Sequence, residues 1–151
     1  MTPTSGLFET HLTVADLARS TAFYRDIAGL EVAHEMPERH AVFLWVGGPG
    51  HSMLGLWSIH TSPLKLRLHI AFRATLADVI AAPATLRAAG VMPRDGGGGR
   101  EIDEPVVYPW MPAASVYFDD PDGHSLEYLA MMDEAPRPDL PRMTLSAWRA
   151  R

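Results

Sequence analysis

Cysteine is absent from the 151 residues, which excludes disulfides, a thiolate nucleophile and cysteine-ligated zinc. No apolar run approaches the ~20 residues that span a bilayer, so no membrane role is expected. The opening residues, Met1 to Leu7, hold neither a basic stretch nor an apolar one that would mark a secretory leader. A cytoplasmic protein is the expectation. Surplus positive charge is missing too. The formal net charge is −5, which argues against nucleic acid as a partner. What remains is ordinary for a globular chain: 47% hydrophobic and 21% charged residues, at a length that supports a real core.

The hydrophobic pattern shows two copies of one plan. Leu7 to Val14 alternates as a strand, with Phe8, Leu12 and Val14 on one face and Glu9, His11 and Thr13 on the other. Asp16 is a natural N-cap for a helix carrying Leu17, Phe23, Tyr24, Ile27 and Ala28, and Gly29 stops it. Strands are predicted at 31–35, 40–46 and 52–59. The second half repeats this. Leu66, Leu68, Ile70 and Phe72 alternate with Arg67, His69, Ala71 and Arg73, and a helix over 75–89 ends at Gly90. Strands are expected near 91–94, 115–118 and 125–130, with Asp120-Pro121-Asp122-Gly123 as a tight turn. Pro83 sits within the second helix, where it predicts a kink or a split. The repeat reads as two βαβββ modules, 6–62 and 64–132, within a single domain of residues 1–132. Residues 133–151, with Pro136, Pro138 and Pro141, read as an extended tail whose Met143, Leu145 and Trp148 dock on the body or on a partner.

Position singles out two of the seven histidines. His11 and His69 occupy matching places in the two repeats, opposite the helix-packing face. Glu127 lies between Leu126 and Tyr128, on the same inward face of the last strand. Polar groups turned inward need a partner, and two imidazoles with a carboxylate leave positions open around a divalent ion. His51 and His124 fall in matching turns and read as turn residues.

The segment from His11 through Asp16-Leu17, Ser20, Phe23, Tyr24 and Gly29-Leu30 resembles the opening of glyoxalase and bleomycin-resistance proteins. Tyr117 through Asp120-Pro121-Asp122-Gly123 to Glu127 resembles their closing strand pair. With the His69 strand, the similarity to this vicinal oxygen chelate superfamily covers about 6–132. The resemblance implies an α+β fold, paired βαβββ modules forming a cup-shaped mixed sheet with helices on the convex side. It also implies one divalent metal (Zn, Ni, Mn or Fe) held by His11, His69 and Glu127. Glyoxalase I adds a fourth ligand, a glutamate, at a place that falls on Gly55 here, so a three-ligand site is expected. Thr13 and Tyr117 match substrate-contacting positions of the fosfomycin-modifying thiol transferases. The anion-binding basic residues of those enzymes have no clear counterpart, and Arg100 is the nearest.

The expected function is a metal-dependent enzyme with lyase, isomerase or thiol-transferase chemistry on a small oxygen-rich substrate, Glu127 and Tyr117 acting on protons. Two other readings stay open. One is an Fe(II) extradiol-type dioxygenase; the other is a metal-free drug-binding protein, against which the intact ligand set speaks. The run from Gly96 to Gly99, followed by Arg100, Tyr108 and Trp110, reads as a mobile lid over the metal. The plainer alternative is a solvated connection whose aromatics pack on a neighbouring chain. Trp57 falls on the inward face, lining a pocket or filling the floor. A homodimer is expected, because paired modules leave apolar edges to cover. The cup could close within one chain or across that dimer, with His11 from one subunit and His69 and Glu127 from the other.

Overall fold

The computed structural model describes residues 6–58, 67–97 and 99–151. The expected module boundary at 62–64, His60 and Gly98 lie outside the described residues. The chain forms two compact units, 1–68 with 120–123, and 69–119 with 124–151.

In the first unit, β1 (Glu9–Val14), α1 (Leu17–Asp26), β2 (Glu31–Met36), β3 (Ala41–Val46) and β4 (Ser52–Ser58) form a mixed sheet in the order β1-β4-β3-β2. β1 runs parallel to β4, and the other pairs are antiparallel. Alternation along these strands sends Leu12, Val14, Val42, Leu44, Leu54 and Leu56 into the core, beside Phe23 and Tyr24 of α1. Asp16 caps α1 by accepting from the Arg19 N–H at 2.9 Å, and Gly29 follows the helix with φ of 75°, as its C-terminal signal required.

The Asp120–Gly123 turn belongs to this unit and is tied to α1 by its two acids. Buried Tyr24 donates its hydroxyl to Asp120 at 2.8 Å. Asp122 accepts from the Ala15 N–H at 3.0 Å, from Arg19 at 2.9 Å and from Ser20 Oγ at 2.8 Å. The acids in the Asp-Pro-Asp-Gly motif therefore anchor the turn to α1 and to the residue before its cap, as well as shape the turn. Burial acts to raise the Asp122 pKa, but those donors together hold it below the ordinary carboxylate value.

The second unit repeats the topology with β5 (His69–Arg73), α2 (Leu76–Ala88), β6 (Val106–Tyr108), β7 (Ala113–Asp119) and β8 (Ser125–Met131). The order is β5-β8-β7-β6, extended by β9 (Met143–Thr144). Here β5 is parallel to β8 and the remaining pairs are antiparallel. α2 does not split at Pro83. Val79, Ala82, Pro83 and Leu86 are its buried residues, spaced as one helical stripe, so the proline ring packs inward and offsets part of its lost hydrogen bond. Among the described residues no helix is long and apolar enough to cross a membrane.

Three expectations are corrected. The strand expected at 91–94 is reduced to an isolated bridge, Arg94 pairing with Tyr117 and with Glu101. Its place after the helix is taken instead by β6, inside the segment read as a lid. Val106 and Val107 are buried there, so 106–108 is sheet and not a mobile loop. The tail is not simply extended: β9 pairs with β6, and α3 (Leu145–Arg149) follows, with Leu145 and Trp148 buried. Thr144 starts α3 by accepting from the Ala147 N–H, so a capping residue ahead of an apolar pair overrides the three prolines. His124, read as a turn residue, is also buried.

Candidate metal-binding and catalytic site

In the second unit, cross-strand register brings the expected residues together. Glu127 stands between Ala71 on β5 and Tyr117 on β7, and Ser125 between His69 and Asp119. Strand alternation puts all of these on the sheet face opposite Leu126 and Tyr128. The His69 Nδ1 lies 3.0 Å from the Ser125 carbonyl oxygen. A carbonyl only accepts, so Nδ1 is the donor, and a neutral ring then keeps its lone pair on Nε2. That Nε2 is 3.2 Å from the Glu127 carboxylate.

Glu127 is 3% exposed, yet its Oε1 has no hydrogen-bond partner among the described residues. Leaving such a group unmatched costs about 1–3 kcal/mol, more when it is charged. The Tyr117 ring stacks on His69, with centroids 5.7 Å apart. Burial first, then hydrogen bonding with Tyr108 and with Glu127, raises the Tyr117 pKa well above the phenol value. Tyr117 therefore stays protonated and acts as a donor rather than a base.

The surroundings fix this arrangement. Arg94 is buried and pairs with Asp119 at 2.6 Å, while also donating to Ser125 Oγ at 2.8 Å. A Cβ on Gly96 would lie 2.7 Å from the Tyr117 ring and against the Tyr108 hydroxyl, and one on Gly97 would meet the Arg142 guanidinium. Arg142 in turn pairs with buried Asp95 at 3.3 Å. These two glycines permit close packing, where the sequence suggested free movement. Arg100 and Trp110 are exposed, whereas Tyr108 stands on β6 with its ring 6.3 Å from that of Tyr117.

In the first unit His11 projects from β1 beside Thr13 and Glu9. Its Nε2 contacts the Glu9 carboxylate. The ring is 5.4 Å from Trp57 and 5.8 Å from Phe43, and Arg39 lies over the Trp57 ring. Opposite His11 in the register is Gly55, where a Cβ would fall 2.6 Å from His11 Cδ2. The space that a side chain at 55 would fill is taken by the imidazole. Sequence reasoning missed what Ser125 and Gly96 do here, because a backbone acceptor or a bare Cα leaves no residue-type signal, and it missed Arg94 because its partners Asp119 and Ser125 are distant in sequence.

Each unit thus presents one imidazole Nε2 against one carboxylate. Among the described residues no cluster of three or more His, Asp or Glu side chains is formed. The donor set of the second unit nonetheless fits a divalent metal: a tautomer-fixed nitrogen and a buried carboxylate with an unmatched oxygen are ligand chemistry.

Residues 6–128 match the family model described as the Glyoxalase/Bleomycin resistance protein/Dioxygenase superfamily. The chain belongs to that superfamily. Among solved structures, an integron cassette protein from the mobile metagenome of the Halifax Harbour sewage outfall is 32% identical. That match covers 85% of this chain and 100% of the other, with a TM-score of 0.72. A lactoylglutathione lyase from Agrobacterium tumefaciens is 26% identical over 85% of this chain and 96% of its own, with a TM-score of 0.63. A glyoxalase/bleomycin resistance protein/dioxygenase from Nocardioides shares 23% identity over 93% of each chain, with a TM-score of 0.65. A search of curated proteins gave no match. The superfamily and its two-sheet α+β fold are established by these matches, and the expected architecture holds at that level.

Proposed function

We propose that the protein is a divalent-metal-dependent enzyme acting on a small oxygen-rich substrate, with His69, Glu127 and His11 as metal ligands. One observation carries the reading: His69 is held through Nδ1 with Nε2 turned to Glu127, a buried carboxylate whose Oε1 has no partner among the described residues. His11 joins them on the family resemblance and on its exposed Nε2-to-carboxylate geometry. When bound, the metal would act as a Lewis acid toward a substrate oxygen.

The chain's own groups have separable parts in this reading. Ser125 fixes the His69 tautomer. Tyr117 keeps its proton and is the donor at hand for an oxygen that gains negative charge. Glu127 is the group through which a proton moves. Thr13, Trp57, Arg100, Tyr108 and Trp110 are the proposed substrate contacts. The protein is read as a homodimer, in keeping with the exposed apolar side chains Trp110 and Met131 of the second unit. Lactoylglutathione lyase chemistry, named for one relative, is a natural first assay.

Elemental analysis and turnover of protein purified without chelators test the reading. About one metal per chain is expected, with both metal and activity lost in His69→Ala. Intact metal content and turnover in that variant would refute it.

A further inference from the structure

The match to the family model ends at residue 128, and the segment beyond it grips the second unit. β9 lies beside β6, with Met143 opposite Val107 and Thr144 opposite Val106. Next to that short ladder the Leu145 N–H donates to the Pro105 carbonyl at 2.9 Å. Glu104 accepts from the Ser146 N–H at 2.8 Å and from its hydroxyl at 2.7 Å. The strand that carries Tyr108 is therefore held along one edge by C-terminal residues. Arg142, the residue before β9, reaches a second place. Its guanidinium donates to the Asp95 carboxylate at 3.3 Å, and the Asp95 side chain is only 8% accessible. The other Asp95 oxygen accepts from the Arg100 N–H at 3.1 Å, and the Asp95 N–H donates to the Arg100 carbonyl at 2.9 Å. Asp95 thus closes the turn on which Gly96 and Gly97 stand. The Arg142 guanidinium covers Gly97, where a Cβ would lie 3.0 Å from its Cζ. A Cβ on Gly96 would lie 2.7 Å from Cε2 and Cζ of Tyr117, and Arg94, just ahead of the turn, bonds to Tyr117 through the backbone at 2.7 and 3.0 Å.

We propose that Arg142 is a positioning residue: by pairing with Asp95 it holds the 95–97 turn against Tyr117 and Tyr108, which makes the C-terminal segment a working part of the second unit's site. The inference rests on the reading above only for what Tyr117 does as a proton donor; the placement of its ring stands by itself. Two physical points carry it. A carboxylate as buried as Asp95 is strongly destabilised when its cationic partner is removed, so Asp95 and its turn are expected to move with Arg142. Glycines bring no side chain that could hold the turn in place, so its contact with the two rings is imposed by the residues that close it. A tie that only added stability would act on the unit as a whole. A positioning tie acts at Tyr117 and Tyr108 and leaves the other two tyrosines as they were: Tyr24 in the first unit, and Tyr128 on the face of β8 opposite Glu127.

Protein labelled with 3-fluorotyrosine, its four fluorine resonances assigned by single substitutions to phenylalanine, tests the assignment with neither metal nor substrate. In Arg142→Gln the Tyr117 and Tyr108 resonances are expected to move while those of Tyr24 and Tyr128 stay. Hydrogen-exchange protection of the Arg100 amide is expected to fall about tenfold, the scale of one charge-assisted hydrogen bond. Arg142→Lys keeps the charge without the planar fork, and is expected to fall between Arg142→Gln and the wild type. Four unmoved resonances with wild-type protection at Arg100 in Arg142→Gln would overturn the proposal. So would a displacement of all four together, which marks a general loss of packing. Should Arg142→Gln not fold, Arg142→Lys decides: a shift confined to Tyr117 and Tyr108 supports the proposal, and none overturns it. No outcome here depends on metal content, so the metal-dependent reading stands or falls separately, on His69→Ala.

Discussion

The two histidine–carboxylate pairs differ in how firmly they are built. His69 and His11 are alike in exposure, at 49% and 46%, but their carboxylates are not: Glu127 is 4% accessible and Glu9 36%. Glu127 lies inside a strand flanked by β5 and β7, beneath a stacked tyrosine, with the imidazole pinned by Ser125. Glu9 begins an edge strand and shares its histidine with solvent. The second unit carries a preorganised pair at the cost of a buried unmatched oxygen. The first carries an adaptable one at little cost.

Substitutions at packed glycines and at the acidic turn probe that contrast. Gly96→Ala is expected to have the largest effect on stability, about 3 kcal/mol, because its methyl group would press on the Tyr117 ring and the Tyr108 hydroxyl. Chemical denaturation would show the loss, and near-ultraviolet dichroism the displaced tyrosines. Wild-type stability in this variant would mean the second unit's pair is softer than its packing indicates.

Asp122→Asn comes next, at about 2 kcal/mol near neutral pH, the scale of losing charge-assisted hydrogen bonds. Its pH dependence gives the sharper test. Asp122 has a lowered pKa in the folded state, so its stabilisation is complete above the unfolded value near ~4 and is lost as pH falls through the folded value. The stability gap between wild type and Asp122→Asn should therefore narrow on acidification. A gap that is constant with pH would show that the Asp122 charge contributes nothing.

Gly55→Ala should cost least, about 1 kcal/mol, because the half-exposed His11 ring can swing aside, although Trp57 Nε1 also crowds the new Cβ at 3.1 Å. On the metal-dependent reading, metal affinity should still fall, by about tenfold, since the displaced His11 ring no longer presents Nε2 in the same place. A large stability loss without any metal effect would reverse the contrast between the two halves.

How much of this was legible in the sequence follows from physical reach. β1, β5 and β8 are longer strands with clean alternation, and they carry His11, His69 and Glu127, so the face of each side chain could be placed by parity, while a ligand role for them came from the family resemblance. β6 was not legible. It has three residues between Pro105 and Pro109, and its existence depends on pairing with β7 and with β9 some 40 residues away. The strand read at 91–94 fails for the converse reason: it has local strand character, but only Arg94 finds a ladder partner. α3 left a signal that was passed over, a threonine cap followed by Leu145 and Trp148. The glycine run misled because glycine serves freedom and close contact equally well, and only the Tyr117 and Arg142 side chains tell which applies.

Calorimetric titration of a divalent metal into stripped wild-type protein and into Glu127→Gln, side by side, tests the central claim most directly. The account predicts one site per chain in the wild type, and affinity in Glu127→Gln weakened at least about 100-fold because a buried charged oxygen is replaced by a neutral amide. Equal affinity in the two proteins, or no binding in the wild type, would contradict it.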